Sequence, residues 1–236
     1  PKMSILIVIV LLLLIILMKN NKKYFLVFLA ILIFVKCSCN LKNYYQIIYL
    51  DVGQGDSTLL ISPFNNNVVM IDTGGKIKYA QDNWKKSNKT YNLSDNTIKY
   101  LKSQGITKID HLILSHGDYD HMGEAINLVN NFKVEKVIFN CGEFNELENE
   151  LIKILYKKKI PYYSCIKELN IDDNKLYFLN NRDYDNENDN SSVIYTELNN
   201  HKFLFMGDAG VAVEEDLLEK YNLQDIDVLK VGHHGS

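Results

Sequence analysis

The chain has 236 residues, a formal charge of −3 and 47% hydrophobic side chains, with only three Pro and twelve Gly; this composition excludes a disordered, collagenous or low-complexity protein. The charge is unevenly placed, because residues 1 to 43 hold six Lys and no acid, leaving 20 of the 26 basic side chains against 29 acidic ones, a net −9, in the remainder. That balance argues against a strongly cationic nucleic-acid binder, and the roughly 190 residues beyond the leader are enough for one globular domain with a sizeable core.

Neither Pro1 nor Ser236 reads as a natural boundary, so the chain is expected to be a fragment. Residues 3 to 18 are almost wholly apolar, the polar stretch Lys19-Asn20-Asn21-Lys22-Lys23 follows, and a second apolar run covers residues 24 to 35. Two apolar runs around a basic loop read as a transmembrane helical hairpin over residues 1–40, the second run reaching spanning length only if residues 36 to 40 snorkel into the interface. A signal peptide is the rival for either run alone and does not explain the pair. The excess of Lys places the loop in the cytoplasm and the chain after Val35 on the outer face of a multi-pass cell-membrane protein.

From Tyr44 the pattern changes to short β-rich runs, around Ile47, Ile48 and Leu50, then residues 58 to 61, then 68 to 71, with Pro63-Phe64-Asn65-Asn66-Asn67 as the turn between the last two. Gly53 and Gly55 allow close backbone approach in the loop around Asp51 and Asp56. Asp72-Thr73-Gly74-Gly75 follows the third run. Residues 76 to 92 are polar with the lone Trp84, an exposed insertion that either contacts substrate or anchors packing. Ser94 or Asp95 caps a helix that Gly105 ends, near residue 103.

Residues 110 to 115 form a strand opening on His111, a structural histidine, and delivering Ser115-His116-Gly117-Asp118-Tyr119-Asp120-His121-Met122-Gly123. Two imidazoles and two carboxylates within six residues are metal-ligand density, since a first-row divalent ion needs several N or O donors at about 2.0 to 2.2 Å and a loop leaving a strand can converge them. The bland alternative is a polar turn that happens to contain His. A helix over residues 122 to 130, a strand over 134 to 139 and an amphipathic helix over 143 to 159 follow, the last with Phe144, Leu147, Leu151, Ile154 and Leu155 on one face. Its closing Lys157-Lys158-Lys159 reads as a solvated helix end complementing the dipole rather than a DNA patch.

Residues 176 to 179 read as a strand and 180 to 190 as a polar loop; residues 191 to 198 and 202 to 206 form a hairpin that puts His201 at its turn, away from chemistry. Asp208 follows Met206-Gly207, a helix covers 211 to 221, and the strand 227 to 231 delivers His233 and His234. The four Cys, at 37, 39, 141 and 165, form no CxxC pair. Cys141 and Cys165 could pair in an oxidising compartment; two small buried thiols are the preferred reading.

His116-x-Asp118-x-Asp120-His121 resembles the HxHxDH signature of the metallo-β-lactamase superfamily with Asp in place of the second His. This HxDxDH form is similar to that of the C-terminal domain of the ComEC-type competence family. The pieces Leu50-Asp51-Val52-Gly53-Gln54-Gly55-Asp56-Ser57, Met70-Ile71-Asp72-Thr73-Gly74-Gly75, Asp189-Asn190-Ser191, Phe205-Met206-Gly207-Asp208 and Val228-Leu229-Lys230-Val231-Gly232-His233-His234-Gly235-Ser236 fall in the same order, so the resemblance covers residues 44–236.

The resemblance implies an α/β fold, the metallo-β-lactamase αββα sandwich, incomplete at its C-terminus. It implies two divalent ions, Zn or Mn, one with His116, Asp118 and the bridging Asp208, the other with Asp120, His121, Asp208 and a terminal histidine. His233 is favoured as that ligand because it comes first after the strand, leaving His234 to hydrogen-bond substrate. Asp120, Asp208, His233 and His234 are the expected catalytic set, with Asp72 bracing the metal loop. No His lies between His121 and His201, so Asp189, Asn190 or a water must fill the family's remaining first-site position. The implied activity is metal-dependent phosphodiester hydrolysis of the DNA strand not taken up in transformation, with weak intrinsic DNA affinity and with the membrane and other DNA-uptake proteins as partners. A lactonase or β-lactamase-like hydrolase and a non-catalytic metal-braced DNA-binding module are the alternatives.

Overall fold

The computed structural model describes residues 12–17, 23–38, 42–53, 55–75, 92–180 and 182–235. Most of the expected basic loop (residues 19–22) and the insertion at 76–91 with Trp84 lie outside these. The chain divides into two compact units, Pro1–Asn43 and Tyr44–Ser236. In the first, residues 12–17 and Lys23–Ser38 are helical, the latter with its Phe25, Leu26, Val27 and Ile33 side chains exposed. Among the described residues no helix is long and apolar enough to cross a membrane. The 16 residues of Lys23–Ser38 reach about 24 Å, short of a hydrocarbon core of about 30 Å.

The second unit carries thirteen described strands: β1 Gln46–Tyr49, β2 Thr58–Ile61, β3 Val68–Ile71, β4 Lys108–Ile109, β5 His111–Ile113, β6 Lys133–Val134, β7 Val137–Phe139, β8 Tyr162–Ser164, β9 Glu168–Ile171, β10 Asn174–Phe178, β11 Ile194–Leu198, β12 His201–Phe205 and β13 Val228–Lys230. Six form one sheet in the order β1-β2-β3-β5-β7-β8, and five form a second in the order β13-β12-β11-β10-β9; β4 and β6 pair separately. The first sheet is antiparallel from β1 to β3 and parallel from β3 to β8.

The two-residue period of a strand explains the layering. Along β2 and β3, Leu59, Ile61, Val68 and Met70 face the helices Leu93–Ser103, Ala125–Asn131 and Glu146–Lys158, in a core with Leu101, Leu128, Leu151 and Leu155. Their neighbours Leu60, Val69 and Ile71 point the other way and meet Leu176, Phe178, Ile194 and Phe205 of the second sheet. Val213 and Leu217 of the helix Val211–Lys220 cover the far face of that sheet against Leu204 and Met206. The result is a helix, sheet, sheet, helix sandwich. Strands buried on both faces need continuous apolar runs, which is why Thr58–Ile61 and Val68–Ile71 are buried throughout.

Two expectations are corrected. Cys141 and Cys165 are joined in a disulfide rather than standing as separate thiols. Cys141 leaves β7 and Cys165 leaves the parallel neighbour β8, so strand pairing itself brings the two Cα atoms to 4.4 Å, which no sequence spacing announces. The helix expected over residues 122 to 130 is instead one turn, Tyr119–Met122, followed after Gly123 and Glu124 by Ala125–Asn131.

Candidate metal centre

The site forms where strands β3 and β5 of the first sheet and β12 of the second end side by side. At the end of β3, Asp72 takes the left-handed conformation (φ +57°), which a short polar side chain tolerates better than most. This turns its buried carboxylate under the loop that leaves β5. Its Oδ1 accepts the Ser115 backbone N–H (2.7 Å), and its Oδ2 accepts the Ser115 hydroxyl (2.7 Å) and His121 Nδ1–H (3.0 Å). Thr73 adds its N–H and its hydroxyl to the His121 carbonyl, at 2.7 and 3.1 Å.

These bonds fix both imidazole tautomers. A serine hydroxyl has one proton, and Ser115 gives it to Asp72, so at 3.0 Å it accepts from His116 Nδ1–H. His121 likewise spends its Nδ1 proton on Asp72. In the neutral rings, the form that can bind a metal, both Nε2 atoms therefore turn a lone pair inward, and both are buried without a hydrogen-bond partner, as is Asp208 Oδ1. His121 Nε2 and Asp208 Oδ1 lie 3.0 Å apart yet are misaligned for a hydrogen bond. Orphaned buried polar atoms of this kind are costly unless something else binds them.

Four residues offer donor atoms lying within 4.8 Å of one another: Asp120, His121, Asp208 and His234. His234 Nε2 is 3.4 Å from Asp120 Oδ2 and 3.7 Å from Asp208 Oδ2. Beside them His116 Nε2 faces Asp118 Oδ2 at 3.7 Å, with the His116 and His121 rings 4.1 Å apart. The side chains of His116 and His121 are fully buried, whereas those of Asp118 and Asp120 are 48% and 25% exposed, so the cluster opens to solvent on its carboxylate side. A borderline divalent ion suits such an N/O set.

The electrostatics of the metal-free cluster point the same way. Burial alone would discharge His121, but the charges of Asp72 and Asp208 outweigh it and push it up to about 10. Burial would raise Asp208, and the contact with His121 reverses this, taking it down to about 2. His116 holds Asp118 below the usual carboxylate range. Without metal, His121 thus carries a second proton on Nε2, facing Asp208 Oδ1, which a divalent ion would displace to take up the lone pair.

Of the residues singled out in the sequence, His116, Asp118, Asp120, His121, Asp208 and His234 are brought together. The side chain of His233 is not among the converging donors; its backbone N–H goes to the Gly207 carbonyl at 3.3 Å. Both terminal histidines adopt left-handed conformations, and this turn, rather than the order of residues after the strand, brings His234 to the carboxylates. Asn190 is spoken for, its Oδ1 accepting from Tyr184 N–H (2.7 Å) and its Nδ2 donating to the Tyr184 carbonyl (2.9 Å). Asp189 accepts the Gly210 N–H at 2.9 Å. Asn190 thus holds its own loop, and Asp189 ties that loop to Gly210, the N-cap of the helix Val211–Lys220.

The structure adds Asp56, which approaches His121 Nδ1 (3.9 Å) and His234 Nδ1 (3.8 Å) and is paired with Lys230. Asp56, Asp72 and His121 also form a group of possible donors, but Lys230 already supplies the cation there. The Asp56 N–H reaches the Asp120 carbonyl at 3.2 Å, an approach that leaves no room for a Cβ on Gly55. A lysine inside the apolar run Val228-Leu229-Lys230-Val231 is the sequence signal for this pair.

A model of the metallo-beta-lactamase superfamily matches residues 50–236. The chain belongs to that superfamily. ComE operon protein 3 of Bacillus subtilis (strain 168) is 31% identical over 193 residues, covering 79% of this chain and 25% of its own length. Recombination protein 2 of Haemophilus influenzae is 29% identical over 207 residues, covering 88% of this chain and 23% of its own. Both are homologues of the ComEC family, and the chain spans about a quarter of the length of each. Among solved structures, a diphosphatase of the PhnP family is 14% identical with a TM-score of 0.37, covering 75% of this chain and 59% of that one. A metallo-beta-lactamase from Pontibacter korlensis is 18% identical, also at a TM-score of 0.37, covering 69% and 66%. Superfamily members are generally metal-dependent hydrolases, and the donor groups of this chain accord with divalent-metal binding.

Proposed function

We propose that residues 44–236 are the metal-dependent phosphodiesterase domain of a ComEC-like membrane protein of DNA uptake, acting on the strand that is not taken up. The observation that carries the hydrolase part is the set of buried, unpartnered donor atoms, His116 Nε2, His121 Nε2 and Asp208 Oδ1, aimed into a carboxylate-lined opening. The DNA part rests on the kinship with ComE operon protein 3 and Recombination protein 2.

On this reading His116, Asp118 and Asp208 would hold one Zn or Mn ion, and Asp120, His121, Asp208 and His234 a second. When bound, such ions polarise a phosphoryl oxygen and lower the pKa of water. Asp72 keeps both imidazoles facing inward through Ser115 and His121. Asp56, 3.8 Å from His234 Nδ1, leaves Nε2 of this 38% exposed ring facing Asp120 and Asp208, so His234 would close the second ion position at the mouth of the site. The net −9 outside residues 1–43 leaves few cations to release counterions, so DNA binds weakly and is retained by the metal site and by tethering.

The expected result is cleavage of single-stranded or duplex DNA by the protein with Mn(II) or Zn(II) and none by the chelator-treated protein. Hydrolysis of a β-lactam or lactone instead would support the small-molecule reading, and no turnover of any substrate by metal-loaded protein would leave a metal-braced binding module.

The same proposal places the domain on the extracytoplasmic face. The Cys141–Cys165 disulfide suits an oxidising compartment, and the exposed apolar side chains of Lys23–Ser38 suit contact with lipid. In a Cys37→Ser, Cys39→Ser background, a membrane-impermeant thiol reagent applied to intact cells should label Lys157→Cys and spare Lys22→Cys. The opposite pattern would reverse the orientation.

A further inference from the structure

Gly117, between the candidate ligands His116 and Asp118, is gripped from two sides. Its N–H donates to Glu187 Oε1 at 2.8 Å, and its carbonyl accepts from Asn145 Nδ2, also at 2.8 Å. The N–H belongs to the peptide joining residues 116 and 117, the carbonyl to the peptide joining 117 and 118. With both planes fixed, the Cα atoms of His116 and Asp118, which end those two planes, are held in position. A Cβ on Gly117 would land on the Asn145 side chain, so the grip itself excludes any larger residue there.

Asn145 has a second task. It is the N-cap of the helix Glu146–Lys158: its Oδ1 accepts the Glu148 N–H at 3.0 Å, while Glu148 accepts the Asn145 N–H at 2.8 Å, a complete capping box. Its amide group is thus divided, oxygen to the helix and nitrogen to the metal loop. The other jaw hangs from the same frame, because Asn140 Nδ2 donates to the Asn190 carbonyl at 3.1 Å, and Asn190 closes the loop that carries Glu187. Cys141, next in sequence to Asn140, fastens this segment to β8 through its disulfide.

We infer that Asn145 and Glu187 are positioning residues for the metal loop, holding His116 and Asp118 through the two peptide planes of Gly117. The inference rests on the metal-site reading above and deepens it, by naming what aims the half of the site that lacks a further histidine. The chemistry of the side chains separates this role from a purely structural one. Serine caps a helix about as well as asparagine but is too short to reach Gly117. Glutamine at 187 keeps an oxygen acceptor for the Gly117 N–H while removing the charge.

The test is titration of the metal-free protein with Mn(II), Zn(II) and Co(II), the last followed by its visible spectrum, together with thermal unfolding. Asn145→Ser and Glu187→Ala are each expected to weaken metal binding by about 10- to 100-fold and to change the Co(II) bands, as loss of an outer partner of a ligand does. The unfolding midpoint of metal-free Asn145→Ser should fall by no more than the loss of one hydrogen bond, since the cap is kept, and Glu187→Gln should bind metal nearly as wild type does. If Asn145→Ser binds all three ions as tightly as wild type with an unchanged spectrum, the clamp is overturned while the metal site stands. If Glu187→Gln is as weak as Glu187→Ala, Glu187 acts through its charge and its clamp role is overturned. A wild-type protein that takes up none of the three ions sinks the metal-site reading itself, and the inference with it.

Discussion

Replacing Asp208 with Ala is expected to strip the protein of metal and of any hydrolytic activity. Asp208 is buried and uses both oxygens at the centre of the cluster, Oδ1 at 3.0 Å from His121 Nε2 and Oδ2 at 3.7 Å from His234 Nε2. It is held there by its own N–H, which donates to Ser191 Oγ at 3.0 Å, a bond that survives the substitution. The backbone therefore stays in place while the shared carboxylate disappears. Loss of an outer partner of a ligand typically costs about 10- to 100-fold in affinity, so loss of a carboxylate common to both proposed ion positions should exceed about 100-fold. Asp208→Asn sharpens the test, since it keeps the shape and one acceptor but removes the charge that the surrounding imidazoles favour. Metal content after gel filtration, measured beside cleavage, checks both variants. Unchanged metal stoichiometry in folded Asp208→Ala would place the ions elsewhere.

Much of this site is legible in the amino-acid sequence. The density of His and Asp from 116 to 121, delivered by a strand and joined by a lone Asp after Met206-Gly207, can be read because ligands on one loop carry their spacing in the sequence. The first sheet is legible for a similar reason, as β2 and β3 are apolar runs bounded by turn residues. Features depending on distant segments are not. Tyr162–Ser164 is exposed along its whole length and shows no alternation, so its place beside β7, and with it the Cys141–Cys165 bond, follows from tertiary pairing alone. Gly117 clamped by residues 28 and 70 positions away leaves no local signature. The choice between His233 and His234 hangs on two consecutive left-handed residues, and a left-handed turn of non-glycine residues is a conformation the surrounding structure imposes. The lysine in β13 is visible, but its meaning requires Asp56, which sits on a loop 174 residues away.

Asp72→Ala is expected to lower stability severely, and Asp72→Asn to spare much of the fold while still losing the metal. The alanine variant removes the acceptor of three buried donors, Ser115 N–H, Ser115 Oγ–H and His121 Nδ1–H. Breaking a buried pair from one side costs about 3–5 kcal/mol. The left-handed φ of +57°, which Asp accommodates and Ala does not, adds about 1–2 kcal/mol. Set against a typical domain stability of about 5–15 kcal/mol, this threatens folding at growth temperature. The asparagine variant keeps an oxygen for the Ser115 N–H and tolerates the same backbone. Its amide nitrogen, however, now faces His121 Nδ1 and donates to it, forcing the ring proton onto Nε2. The lone pair that faced Asp208 and the proposed ion is then gone, although no ligand has been changed. Thermal unfolding should rank wild type above Asp72→Asn and Asp72→Ala last, while metal titration should find Asp72→Asn weakened by about 10- to 100-fold. If Asp72→Asn binds metal as wild type does, the carboxylate does not set the tautomer of His121, and the orientation of both imidazoles must come from packing alone.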